Sequence, residues 1–266
     1  MRPNLTRDLA ILYTVGLCKV LPSREIRRLF FRSQATCADR LRKLFCAGLL
    51  DCHVRNLHEP NFYALTERGR AYVCDHADVE PSDLAVARAL PAQLDHLVAT
   101  NEVRVHLTLA TRSNPEVELV FFRPSWELQA ERQAGIVGLV PDALVGLEDS
   151  RVLTVVALEV DLGSEAPVIV RRKVVRYSRL TAAGLPFYGH EHVLPVVLAS
   201  GTRRLRQLAV ALAEAGVRDG VLLGDLETLD EHAVLGPAFT LPRDIGDEAA
   251  GHDLRVSLTG TILHER

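Results

Sequence analysis

Three carboxylates at the end of one apolar stretch are where this sequence offers chemistry. Residues 152–158 are almost wholly apolar and run into Glu159-Val160-Asp161. Successive strand residues point to opposite faces, so Glu159 and Asp161 are expected on one face and Val160 on the other. Asp142, in the pair Pro141-Asp142, stands at the mouth of a neighbouring strand and is expected to complete a three-carboxylate cluster. Such oxygens suit hard cations. Asp142, Glu159 and Asp161 are therefore the candidate metal ligands, and Mg²⁺ or Mn²⁺ is the expected cofactor. Without a cation the three charges repel one another.

A polar break at Gly163-Ser164 leads into a basic helix, about 166–183, that carries Arg171, Arg172 and Lys173. Ile169, Lys173, Tyr177 and Leu180 fall on one side of that helix. Lys173 thus interrupts an apolar stripe that should pack on the sheet. It either brings a cation to the carboxylates or snorkels from the edge of the packed face.

The elements that must position these groups follow from periodicity and stop signals. A helix over about 92–111 is followed by strands at 117–122, 139–147 and 151–161. The basic helix comes next, then a strand at 193–199, a helix from Thr202 to about 215 and a strand at 221–223. The order is α-β-β-β-α-β-α-β. Residues 225–266 carry no assignable pattern.

The first third reads differently. Residues 1–75 hold 13 Lys+Arg against 7 Asp+Glu, a net of +6, which leaves −9 for the remainder. A basic front on an acidic body points to a polyanion as partner. Helical spacing places Leu9, Ala10, Tyr13 and Leu17 on the inner side of a first helix. Ser23 opens a second, and a third runs over about 34–47 with Ala38, Leu41, Leu44 and Phe45 inward. Gly48 ends the third. Strands at 49–54 and 62–65 flank a polar tip, and Thr66 caps a closing helix. Three helices, a two-stranded wing and a closing helix make a winged helix-turn-helix. The segment AGLLD…FYALTERGRAYV resembles the wing of many bacterial winged-helix regulators. Such a module binds double-stranded DNA, with its third helix in the major groove and its wing on the backbone. The candidate DNA-binding residues are Arg40, Arg42 and Lys43 on the outward side of that helix, and Arg55 and His58 in the wing.

Taken with its residues, the later part resembles the PD-(D/E)xK, restriction-endonuclease-like superfamily. More closely, this part, about residues 96–223, resembles the replication-relaxation family of plasmid and mobile-element proteins, which joins a winged helix to such a domain. The stretches that carry this resemblance are LDHLVATNEVRVHL, VPDALV and ALEVDLGSE…VRRKVVRYSRL. It implies phosphodiester hydrolysis by carboxylate-held metal ions that activate water, with a lysine steadying the developing charge. Asp142 matches the motif aspartate, Glu159 the second acid, and Glu102 a helical acid found in some members. Where the superfamily usually has lysine, this chain has Asp161, and Lys173 is the candidate substitute. The implied catalytic residues are thus Asp142, Glu159, Lys173 and Glu102.

The expected fold class is α/β: an N-terminal winged helix-turn-helix followed by a restriction-endonuclease-like domain with a mixed sheet. The expected divisions are 1–76 for the DNA-binding domain, 77–95 for a linker and connecting helix, and 96–266 for the nuclease-like domain. No apolar run approaches the ~20 residues of a membrane span. MRPNLTRDLA lacks a signal-peptide core. A cytoplasmic protein without a membrane partner is expected. The five cysteines have no zinc-module spacing. The expected function is DNA binding in replication or relaxation of a plasmid or mobile element, with metal-dependent nicking as the activity in question. The alternative is a winged-helix transcriptional regulator whose nuclease fold is catalytically dead and serves partner binding or a homodimer.

Overall fold

The computed structural model describes residues 5–133, 138–149, 152–245 and 255–258. It divides into two compact units, Met1–Val105 and His106–Arg266.

The first unit contains α1 (Leu5–Cys18), β1 (Leu21–Pro22), α2 (Ser23–Phe30), α3 (Gln34–Cys46), β2 (Leu50–His53), β3 (Phe62–Leu65) and α4 (Glu67–His76). The first part of α5 (Leu94–Ser113) also belongs to it. The Ser33 hydroxyl caps α3 by accepting from the Thr36 amide at 3.2 Å, and Thr66 caps α4 through the Gly69 amide at 2.8 Å. The three strands pair antiparallel in the order β1-β3-β2. This is the arrangement of a winged helix, with β1 as a short third strand that the sequence did not announce. Glycine is required at position 69, because a Cβ there would lie 2.1 Å from the Leu49 carbonyl oxygen.

Two helices turn different sides inward from those expected. α1 buries Asp8, Ile11, Leu12, Val15 and Cys18 and leaves Tyr13 exposed. Apolar residues run round most of this helix, so spacing alone could not choose its inner side. α3 buries Cys37, Leu41 and Leu44, whereas Ala38 is exposed and Phe45 is 48 % exposed.

The second unit holds β4 (Val117–Pro124), α6 (Ser125–Gln133), β5 (Ala143–Asp149), β6 (Leu153–Asp161), α7 (Pro167–Ala182), β7 (Leu194–Ala199), α8 (Thr202–Glu214), β8 (Leu222–Asp225), β9 (Phe239–Thr240) and β10 (Arg255–Val256). The strands form one mixed sheet in the order β10-β9-β8-β7-β6-β5-β4. β6, β7 and β8 run parallel, and the other neighbours are antiparallel. Leu144, Val155, Ala157, Val197, Ala199 and Leu223 line one face, under α7, α8 and α6. Val145, Leu147, Val156, Leu158, Val160 and Leu198 on the other face are buried as well. Burial on both faces is why the sequence of these strands is nearly continuous apolar rather than alternating. α6, β9 and β10 fall where periodicity carries no strong signal.

Candidate active site

Strand register brings the first two acids together. Ala143 stands opposite Leu158 in the antiparallel β5–β6 pair, so one step outward sets Asp142 opposite Glu159. Directly opposed residues of such a pair project from the same face. The Asp142 amide donates to the Leu158 carbonyl at 3.0 Å, and Asp142 Oδ2 accepts from the Val160 amide at 2.8 Å. Glu159 shares its face with Val155 and Ala157, the face covered by α7.

α7 buries Val170, Val174 and Tyr177 against the sheet. The same side of the helix brings Lys173 down onto the acid. Lys173 Nζ lies 2.6 Å from Glu159 Oε2, and the Tyr177 hydroxyl donates to Glu159 Oε1 at 2.6 Å. The Glu159 side chain is 4 % exposed and that of Lys173 31 %, so the acid is enclosed while the ammonium stays at the rim. Burial, and after it the charge of Asp142, pushes the Glu159 carboxyl up to about 7, against the opposing pull of Lys173 and Tyr177. Burial alone would lower Lys173, but the charges of Glu159 and Asp142 outweigh it and hold the ammonium above its usual range. Burial and the neighbouring Glu159 keep the Tyr177 phenol protonated far above its usual range.

A strained turn supports Tyr177 from the side. Phe187 and His190 exchange backbone hydrogen bonds of 2.8 and 3.0 Å across Tyr188 and Gly189, whose φ values are 49° and 84°. Two positive φ values in a two-residue loop are the signature of a type I′ turn. A tyrosine in the left-handed region is costly. It is held there by burial and by its hydroxyl, which donates toward the Leu128 and Leu139 carbonyls at 3.4 and 3.3 Å. Phe187 then meets Tyr177 edge-on, with ring centroids 5.4 Å apart.

Asp161 shares the face of Glu159, as its spacing requires, but its carboxylate is engaged elsewhere. Arg204 Nε donates to Asp161 Oδ2 at 2.7 Å, and the Gly163 amide to Oδ1 at 2.8 Å. Two residues along a strand advance about 6.6 Å. That step carries the side chain from beneath α7 to the first turn of α8. Among the described residues, no three His, Cys, Asp or Glu side chains form a group able to hold a metal ion. The expected three-acid cluster is thus a facing pair, Asp142 and Glu159, with Asp161 beside it in its own ion pair.

Glu102 belongs to the N-terminal unit, where it lies 3.5 Å from Arg24 and 3.8 Å from Arg28 of α2. The expected DNA contacts divide. Arg40 is turned inward, not outward: its guanidinium is bonded to the wholly buried Asp8 through Nε, at 2.5 Å, and through Nη2. Arg42 and Lys43 are on the surface, and both bond Asp39. Arg55 bonds Glu59 and Asp95 at 2.5 Å each, and His58 is exposed at the wing tip. Two residues outside the candidate site set now stand out. Arg32 is exposed in the α2–α3 turn, and Tyr177 holds the second oxygen of Glu159. Pairing of an acid with a tyrosine one turn beyond a lysine was readable from the 173/177 spacing, but only once the strand register was known.

The family model for replication-relaxation proteins matches residues 12–197, more than half of the chain. The chain belongs to the replication-relaxation family. No curated protein and no solved structure matches it significantly. The replication-relaxation match takes in the winged helix and the sheet as far as β7, and so includes Asp142, Glu159, Lys173 and Tyr177. It ends before α8 and Arg204. Among the described residues no helix is long and apolar enough to cross a membrane.

Proposed function

We propose that this protein binds double-stranded DNA through its winged helix and hydrolyses a phosphodiester bond at the Asp142–Glu159–Lys173 set. The setting would be replication or relaxation of a plasmid or other mobile element. The observation that carries the reading is the Lys173–Glu159 bond opposite Asp142. It restores from α7 the cation that position 161 lacks. The element order α5-β4-β5-β6-α7-β7, with α6 as an insertion, supports the same reading, since it matches the α-β-β-β-α-β order of the PD-(D/E)xK superfamily.

The donor set fits a hard divalent ion. Asp142 and Glu159 are two facing carboxylates, and burial first and the charge of Asp142 second raise Glu159. Mg²⁺ is commonly held by one or two carboxylates while it keeps several waters. Asp142 and Glu159 would hold Mg²⁺ or Mn²⁺, which when bound supplies water activation and stabilisation of the leaving oxygen. The chain's own groups do the rest. Lys173 places a permanent positive charge beside the acid pair, where charge develops on a phosphoryl group. Tyr177 and the Val160 amide fix the orientation of the two carboxylates. On the winged helix, Arg42, Lys43, Arg55 and His58, with Arg32 added, are the groups to meet the duplex.

The test is relaxation of supercoiled plasmid with Mg²⁺ or Mn²⁺. Wild-type protein should give nicked circles, and Asp142→Ala and Lys173→Ala should each abolish them while duplex affinity is retained. Nicking that survives Asp142→Ala would refute the site. One observation favours a second reading: both Glu159 oxygens are already satisfied from within, by Lys173 and Tyr177. Duplex binding without cleavage under either metal would make the protein a regulator whose second unit serves partner binding or dimerisation.

A further inference from the structure

α3 contains three basic residues, and all three are bonded to acids. Arg40 is committed to buried Asp8. The other two converge on a single acid. Arg42 Nη2 lies 2.9 Å from Asp39 Oδ1, and Lys43 Nζ 2.5 Å from Asp39 Oδ2. Their spacings, i to i+3 and i to i+4, put all three side chains on one patch of the helix. The patch is open to solvent: Asp39 is 47 % exposed, Arg42 68 % and Lys43 42 %. A helix meant only to grip phosphates has no use for a carboxylate in the middle of its exposed side, because that acid repels the backbone and occupies both cations.

We propose that Asp39 is a specificity-determining residue for DNA, one that holds Arg42 and Lys43 off non-cognate duplex and releases them where a base-edge amino group takes their place against its carboxylate. This rests on the reading that the winged helix binds duplex DNA. In the major groove the amino groups of cytosine and adenine are the donors an acid can meet, and cytosine N4 is the usual partner of an aspartate. Exposed ion pairs are weak and readily exchanged. On a matching base the Asp39 carboxylate trades two side-chain donors for a base donor, and Arg42 and Lys43 turn to the adjacent guanine edge or phosphates. On a non-matching base the carboxylate has no new donor, so freeing the cations leaves an unpaired acid in the groove. Discrimination then comes from the repulsive element as much as from the attractive one. Arg40 takes no part in this exchange, because its pair is buried.

The experiment uses the full chain, wild type beside Asp39→Ala and Asp39→Asn. The probes are a duplex selected by the wild type from a random library and a scrambled duplex of the same composition. The wild type should prefer the selected duplex about tenfold or more, the discrimination of one good base contact. Both variants should bind the scrambled duplex more tightly than the wild type does, and their preference for the selected one should collapse. The slope of log K against log salt on the scrambled duplex should steepen by about one to two, since each added phosphate contact contributes about 0.9. Unchanged affinity and slope on the scrambled duplex would overturn the proposal, as would equal weakening on both probes. A wild type that binds neither duplex at low salt would instead remove the DNA-binding reading itself.

Discussion

On the proposed reading that the winged helix binds duplex DNA, replacing Arg40 with alanine should weaken that binding without Arg40 ever touching DNA. Asp8 is completely buried, and the Arg40 side chain is 12 % exposed. The guanidinium meets both carboxylate oxygens across the α1–α3 contact. Removing one partner of a buried pair leaves an uncompensated charge and costs about 3–5 kcal/mol. Set against a typical domain stability of about 5–15 kcal/mol, that unfolds a large share of a winged helix whose starting stability lies near the lower figure. Replacing both partners by apolar side chains is often nearly neutral. Asp8→Leu/Arg40→Met should therefore lie within about 2 kcal/mol of the wild type, where the single Arg40→Ala does not. Urea denaturation followed by far-ultraviolet circular dichroism measures the difference. Trp126, the single tryptophan, lies in α6 of the other unit and reports on that unit by fluorescence. Duplex affinity should fall in Arg40→Ala in proportion to the unfolded fraction and return in the double variant. Arg40→Ala within about 1 kcal/mol of wild-type stability but deficient in DNA binding would refute this and make Arg40 a direct contact.

Three further outcomes are expected. The Glu159 carboxyl, raised from 4.5 to about 7, binds its proton more tightly in the folded chain than in the unfolded one. Its contribution to stability is therefore fully present below pH 4.5 and is lost as pH rises through about 7, by up to about 3 kcal/mol. Glu159→Gln should remove that slope in denaturation series at pH 5 to 8, and an unchanged slope would show that another group titrates. Arg204 also donates to the Glu165 carbonyl at 2.5 Å; Arg204→Ala should loosen residues 162–166, read as faster hydrogen exchange there, with exchange in β4 unchanged. Gly69→Ala forces a Cβ against the Leu49 carbonyl and should cost about 1–3 kcal/mol, measured by thermal or urea unfolding.

The winged helix was legible because α3 and α4 carry their own caps, whereas α2, α7 and α8 begin without a side-chain cap bond. Ser33 and Thr66 cap the helices they precede, and β3 occupies the residues its pattern indicated. The acids of β6 were legible too, since strand alternation alone sets Glu159 and Asp161 on one face. What spacing could not supply was partnership across the chain. Arg40 was read as outward because it lies beside Arg42 on a basic helix. Only the position of Asp8, 32 residues earlier, turns it inward. Asp161 likewise looked like a third ligand until Arg204, 43 residues later, appeared beside it. An acid on an apolar helix side, such as Asp8 in α1, is the one signal in the sequence that such a partner must exist.

The charge count of the α7/α8 side of the sheet explains why this face tolerates three acids. Asp142, Glu159 and Asp161 bring three negative charges when ionised. Lys173 and Arg204 return two, each bonded to its own acid. Asp161 is satisfied within its own ion pair, whereas Asp142 and Glu159 face each other beside Lys173. The repulsion between the facing carboxylates is relieved by a proton on Glu159, which burial first and the charge of Asp142 second hold up to about 7, or, on the proposed reading, by a cation between them. The two compete for the same oxygens. With Asp161 tied to Arg204 of α8 and Lys173 supplied by α7, a proton and the proposed metal ion would contend for the Asp142–Glu159 pair.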